Sequence, residues 1–180
     1  MSEEKLDSAQ PDAPVMDQET YEMIQELFHL VRAGDAPRLK GLFERGFDAP
    51  NISDGNGNSL LMLASYNGHI ETARLLLEHG GDPQLANDRG QIPLAGTAFK
   101  GDTEMTRLLI EHGADVNARS PDGKTALMFA AMFDRTKIID LLLEHGADAS
   151  LQAGDGSTAL SMAQAMGANA AQTRLSSLEN

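Results

Sequence analysis

The 180-residue chain contains no cysteine and no tryptophan. Without cysteine there is no disulfide framework and no zinc–thiolate centre. Aromatic residues are few, two Tyr and six Phe, so a core must be thin and built from Leu, Ala, Ile and Met. Positive charge is also scarce: 14 Lys and Arg stand against 27 Asp and Glu, a formal net charge of -13. Nucleic-acid binding needs a cationic footprint that displaces phosphate counterions, and this chain would be repelled by phosphate and by anionic lipid alike. Charge therefore points to a protein partner, a basic one being favoured through its on-rate. No run reaches the ~18 apolar residues of a membrane span. No basic stretch followed by an apolar one signals secretion. The expectation is a cytoplasmic protein that engages neither membrane nor nucleic acid.

What is present is repetition. Gly57, Gly90, Gly123 and Gly156 stand 33 residues apart. Leu61, Leu94, Leu127 and Leu160 keep the same register, as do Ala64, Thr97, Ala130 and Ala163. The phrase EHGGD at Glu78–Asp82 returns as EHGAD at Glu111–Asp115 and at Glu144–Asp148. Each unit reads as turn, short helix, tight turn, longer helix and Gly-terminated loop. Such a period marks stacked units, none of which buries its hydrophobic face alone.

The phrases DGNGNSLLMLASYNGH, NDRGQIPLAGTAFKGD, SPDGKTALMFAAMFDR and AGDGSTALSMAQAMGA resemble the signature of the ankyrin-repeat family. The resemblance covers roughly residues 20–178. It implies an all-α solenoid of about five helix–turn–helix repeats with β-turn or hairpin loops. The expected divisions are an acidic, disordered leader over 1–19, a capping repeat over 20–50, repeats over 51–86, 87–119 and 120–152, and a C-terminal cap over 153–180. One departure matters. Met62, Ala95, Met128 and Ser161 stand where the family has histidine, so that histidine's hydrogen bonds between repeats are expected to be missing.

Local signals sharpen the pattern. Asp35 is placed to cap the second helix, with Pro37 in its first turn. Ser59, Thr125 and Thr158 are placed to cap later first helices. Ile92 occupies that register in the third repeat, and Gly96 falls inside its helix. Both weaken it, by about 1 kcal/mol each. Asp134 replaces the turn glycine found at Gly68 and Gly101. Arg174 and Ser176 take the registers of Leu141 and Leu143, as a terminal cap requires.

Candidate chemistry is sparse. His79, His112 and His145 form a ladder, but helices roughly 8–10 Å apart do not readily bring three side chains to one zinc. Each precedes Gly at a helix C-terminus, so structural capping is expected. Asp54, Asp88, Asp122 and Asp155 lie in turns and are expected to serve as Asx-turn acceptors. No metal site, cofactor or catalytic residue is expected. The family resemblance implies binding through turn tips and exposed first helices. Residue by residue this selects Arg89, Asp122, Lys124 and Asp155 at the tips. On the helices it selects Tyr66, Asn67, Phe99, Lys100, Met132, Phe133 and Met166. The expected function is a non-enzymatic, monomeric adaptor, sequestering partner or inhibitor. The alternatives are an immunity-type inhibitor of one enzyme and, from another class, a metal-responsive or catalytic protein using the histidine ladder.

Overall fold

The computed structural model describes residues 17–178. Ten helices follow in pairs: α1 (Gln18–Ala33) and α2 (Ala36–Glu44); α3 (Leu60–Asn67) and α4 (Ile70–Glu78); α5 (Pro93–Lys100) and α6 (Thr103–Glu111); α7 (Ala126–Met132) and α8 (Thr136–Glu144); α9 (Ala159–Met166) and α10 (Asn169–Ser176). Odd helices pack on odd neighbours and even on even, giving two layers. The fold is all-α. Among the described residues the one isolated β-bridge joins Ser53 to Ser59.

The start differs from expectation. The Asp17 carboxylate accepts from the Thr20 amide at 2.8 Å and caps α1. The expected leader boundary after residue 19 therefore falls within the first turn of α1, because an N-capping Asp is a stronger start signal than the acidic run around it. Residues 1–16 of that leader lie outside the described residues.

The turns explain the glycine register. Segments 54–58, 87–91, 120–124 and 153–157 share one hydrogen-bond pattern. The first amide donates to the fifth carbonyl, at 3.0 Å from Asp54 to Asn58 and 2.9 Å from Ser120 to Lys124. The fourth residue is always Gly with φ between +70 and +82°, a region costly to a residue bearing Cβ. Ser59, Thr125 and Thr158 each accept from an amide three residues on, at 3.1, 3.4 and 3.2 Å. Ile92 offers no side-chain cap, and Pro93 opens α5 instead.

Two of the positions that replace the family histidine make their side-chain contacts within their own repeats. Met128 and Ser161 face the amides of Thr125 and Thr158. Bonds between repeats come from another register. Asn51 Nδ2 donates to Gly80 O at 2.9 Å, and its Oδ1 accepts from the Asp82 amide at 2.7 Å. Asn117 repeats this with Gly146 and Asp148, at 3.1 and 2.8 Å. Between them Gln84 accepts from the Asp115 amide at 3.1 Å. Ser150, in the same register, instead turns back to Asp148 at 2.6 Å.

The core is a thin sheet of Leu and Ala between the layers: Leu61, Leu94, Leu127, Ala64, Ala130 and Ala163 are all buried. The α7–α8 turn passes through Asp134 at φ 56°, the one non-Gly residue with positive φ among those described. At the end of the stack Arg174 pairs with Asp140 at 2.5 Å while Leu175 stays buried.

Candidate interaction face

The odd helices end on one face. There Tyr66, Phe99 and Met166 are 53%, 42% and 55% exposed, high values for large apolar groups and thus informative. The Lys100 ammonium lies over the Tyr66 ring, 4.4 Å from its centroid, and donates to the Tyr66 carbonyl. Phe99 meets Phe133 edge-on with ring centroids 4.6 Å apart. Asn67 is exposed. Two expectations need correction here. Met132 and Phe133 are half-buried rather than projecting, because Met132 packs on the core and Phe133 is covered by Phe99. The apolar stripe is thus two coupled pairs, Tyr66 with Lys100 and Phe99 with Phe133, and Met166 is a further exposed site on α9.

The turn tips carry the polar rim. Lys124 is neutralised by Asp122, which also accepts from Ser120 Oγ at 2.5 Å. The Lys124 and Ser120 bonds hold the Asp122 carboxyl down at about 2. The Asp155 carboxyl is also lowered, chiefly by the Ser157 amide 2.9 Å away. Arg89 is exposed and has no ion pair among the described residues. The Asx role falls differently from expectation. Asp54 and Asp155 play it, but in the 87–91 turn Asn87 does, accepting from Arg89 and Gln91 amides at 3.0 Å each. Asp88 sits one place beyond the 33-residue register of Asp54, and Asn87 sits in it. In the 120–124 turn Ser120 holds that register and accepts from the Lys124 amide at 3.1 Å.

Sequence reasoning missed a groove. It runs along α5 between α3 and α7, with a volume of about 370 Å³. Met62, Tyr66, Ile92, Phe99 and Phe129 form its walls and Gly96 its floor. The cause is in the register. Where Gly96 stands, the other repeats have Leu63, Phe129 and Met162; where Ala95 stands, two have Met62 and Met128. Two consecutive positions shrink in one repeat, and the missing volume is the groove. A Cβ added at Gly96 would meet a single neighbour, Tyr66 Cδ2 at 3.8 Å.

Comparison with known families matches the sequence pattern of ankyrin repeats in three overlapping copies, over residues 27–120, 80–153 and 97–175. The chain belongs to the ankyrin-repeat family. A Pseudomonas aeruginosa protein named as an ankyrin repeat protein is 49% identical over 62 residues, covering 34% of this chain and 36% of that one. The matched segment spans about a third of that relative's length.

Within this ankyrin array the histidines act one by one. His112 Nδ1 lies 2.9 Å from Leu108 O, and His145 Nδ1 lies 2.8 Å from Leu141 O. Each ring thus ties down a last-turn carbonyl of its own helix. His79 instead sits 3.3 Å from Asp48 and 4.5 Å from the Phe43 ring. Among the described residues no three His, Cys, Asp or Glu side chains stand close enough to share a metal ion. His69, in the second repeat, reaches back to Arg32 O at 3.0 Å, linking the first two repeats. No helix among the described residues is long and apolar enough to cross a membrane. The acids Glu78, Glu111 and Glu144 end the even helices, with Asp82, Asp115 and Asp148 just beyond. They therefore belong to the layer opposite the aromatic pairs.

Proposed function

We propose that this chain is a non-enzymatic module that binds a protein partner through the face of its odd helices, as an adaptor, sequestering partner or inhibitor. One observation carries this: Tyr66 and Phe99, large aromatic side chains on successive first helices, are left about half exposed beside an apolar groove. Aromatic anchors in an apolar centre with a polar rim are where interface energy concentrates. Ankyrin repeats serve generally as protein-interaction modules, and that supports the same reading. The net charge of -13 favours a basic partner in long-range steering. The metal-responsive alternative is disfavoured, because His79, His112 and His145 each make a separate local contact and no three potential ligands among the described residues stand close enough to share an ion.

The test is the double variant Phe99→Ala/Phe133→Ala. It should weaken the complex by roughly 2 kcal/mol or more. It should also cost the fold about 1 kcal/mol, since an edge-on aromatic pair is lost. Arg107→Ala, on the exposed side of α6, should leave affinity unchanged. Unaltered affinity of a folded double variant, measured by calorimetry with a protein first captured from lysate on the parent chain, would overturn the assignment.

A further inference from the structure

We infer that the α5 groove is a specificity pocket for a peptide segment that presents a bulky apolar side chain next to a carboxylate. This rests on the protein-binding reading above and deepens it. The argument for the apolar side chain is volumetric. The groove of about 370 Å³ is walled by Met62, Tyr66, Ile92, Phe99 and Phe129, and nothing in the chain occupies the space that Leu63, Phe129 and Met162 fill in the other repeats. A partner side chain of that size replaces the one missing at Gly96. Desolvated apolar pockets of this kind accept single anchors.

The argument for the carboxylate is charge at the lip. Tyr66 lines the groove, and the Lys100 ammonium sits over its ring, 4.4 Å from the centroid. Lys100 has no carboxylate within ion-pair distance among the described residues. Of the other cations on this face, Lys124 is already neutralised by Asp122, and Arg89, at the tip of the turn leading into α5, has no ion pair among the described residues. No carboxylate lines the groove, so its mouth beside Lys100 is locally cationic although the whole chain is not. A carboxylate beside the anchor would meet Lys100 without displacing any existing ion pair. That local demand is compatible with a partner that is basic over its wider surface, because steering acts over the whole charge distribution and pairing acts at contact.

Panning a random peptide display library against the full chain tests this. The expected result is enrichment of peptides with an aromatic or long aliphatic residue one or two positions from Asp or Glu. An enriched peptide, synthesised and labelled, is then titrated against variants. Gly96→Leu restores the bulk of the register and should weaken peptide binding at least about tenfold without lowering the melting temperature. If Gly96→Leu fails to fold, Ala95→Met, which copies Met62 and Met128, fills the same space. Lys100→Glu should weaken binding about two- to fivefold, and a peptide with Lys in place of its acid should recover that loss. Enrichment of basic residues beside the anchor, or of no peptide at all, overturns the proposal. So does phenylacetate binding as tightly as the peptide, since the groove would then take a small acid. Binding that survives Gly96→Leu but not Phe99→Ala/Phe133→Ala removes the pocket and leaves the face. Binding that survives both removes both.

Discussion

The third and fourth repeats each break a rule of their own architecture, and they do so differently. In the third, Gly96 stands inside α5, where a helix former belongs. In the fourth, Asp134 takes φ 56° at a turn where Gly68 and Gly101 stand. Asp134 is compensated within the fold. Its Oδ1 accepts from the Ala171 amide at 2.7 Å, and α10 has no side-chain cap of its own because Ala168 occupies its N-cap. A residue from one repeat thus caps a helix of the next. Gly96 has no such compensation. No neighbour closes over it, and a methyl would fit without a clash. A local weakness that the fold does not use is the kind that points outward, towards a ligand.

The largest effect separating the two should come from Asp134. Asp134→Ala removes the α10 cap and keeps a Cβ in left-handed backbone, so it should cost about 1–2 kcal/mol in denaturant unfolding. Asp134→Asn keeps an acceptor and tolerates the conformation, and should be close to neutral. Asp134→Gly relieves the backbone but loses the cap, and should fall between. If all three unfold alike, the Asp134–Ala171 bond contributes nothing.

The loops between repeats provide the next contrast. Asn117 grips the following loop through both its amide nitrogen and its oxygen, whereas Gln84 in the same register makes one such bond. Asn117→Ala should therefore cost about 1–2 kcal/mol and Gln84→Ala about half as much. Equal losses would mean that the second bond is idle. Gly96→Ala should act in the opposite direction, stabilising the array by up to about 1 kcal/mol. A loss there would mean that α5 needs glycine for its own packing.

Much of this was legible in the chain. The caps at Ser59, Thr125 and Thr158, the left-handed Asp134 and the uncapped Ile92 all follow from single residues in register. So do the paired helices, since the apolar periodicity repeats with the glycines. The Asn51, Gln84 and Asn117 clamp was equally present in the register but went unread, because its partners lie about thirty residues on and are backbone atoms. The groove was harder. Gly96 could be read as a weak point of one helix, but a groove is a property of three, and its walls come from α3, α5 and α7. Exposure at Phe133 was overestimated because the edge-on contact with Phe99 depends on two rotamers that no spacing specifies. The placement of charge was illegible for a similar reason: a sum over the sequence does not say which layer carries it.

The smallest expected effect contrasts the turns that lead into α5 and α7. The turn at 87–91 is held by Asn87, which does not titrate in the acid range, through bonds from the Arg89 and Gln91 amides at 3.0 Å. The turn at 120–124 is braced by Asp122, which accepts from Ser120 Oγ and pairs with Lys124. Those two bonds lower the Asp122 carboxyl from 3.8 to about 2. A carboxyl whose folded-state value is depressed contributes stability that is fully present above its unfolded value and disappears as pH falls through the folded one. The brace should therefore be intact above pH 4 and lost as pH approaches 2. Because Asp122 is a surface group, screening keeps the contribution to global stability small, so the effect is sought locally. Nuclear magnetic resonance of the Ser120, Asp122 and Lys124 amides from pH 6 to pH 2 should show a shared titration with a midpoint well below that of an unperturbed carboxylate. The Asn87, Arg89 and Gln91 amides should stay nearly still over the same range. In Lys124→Gln the Asp122 midpoint should rise towards the ordinary value, since the largest of its lowering bonds is gone. A titration at 120–124 near pH 4 in the parent, or equal movement in both turns, would show that the Asp122 pairing does not distinguish the fourth repeat from the third.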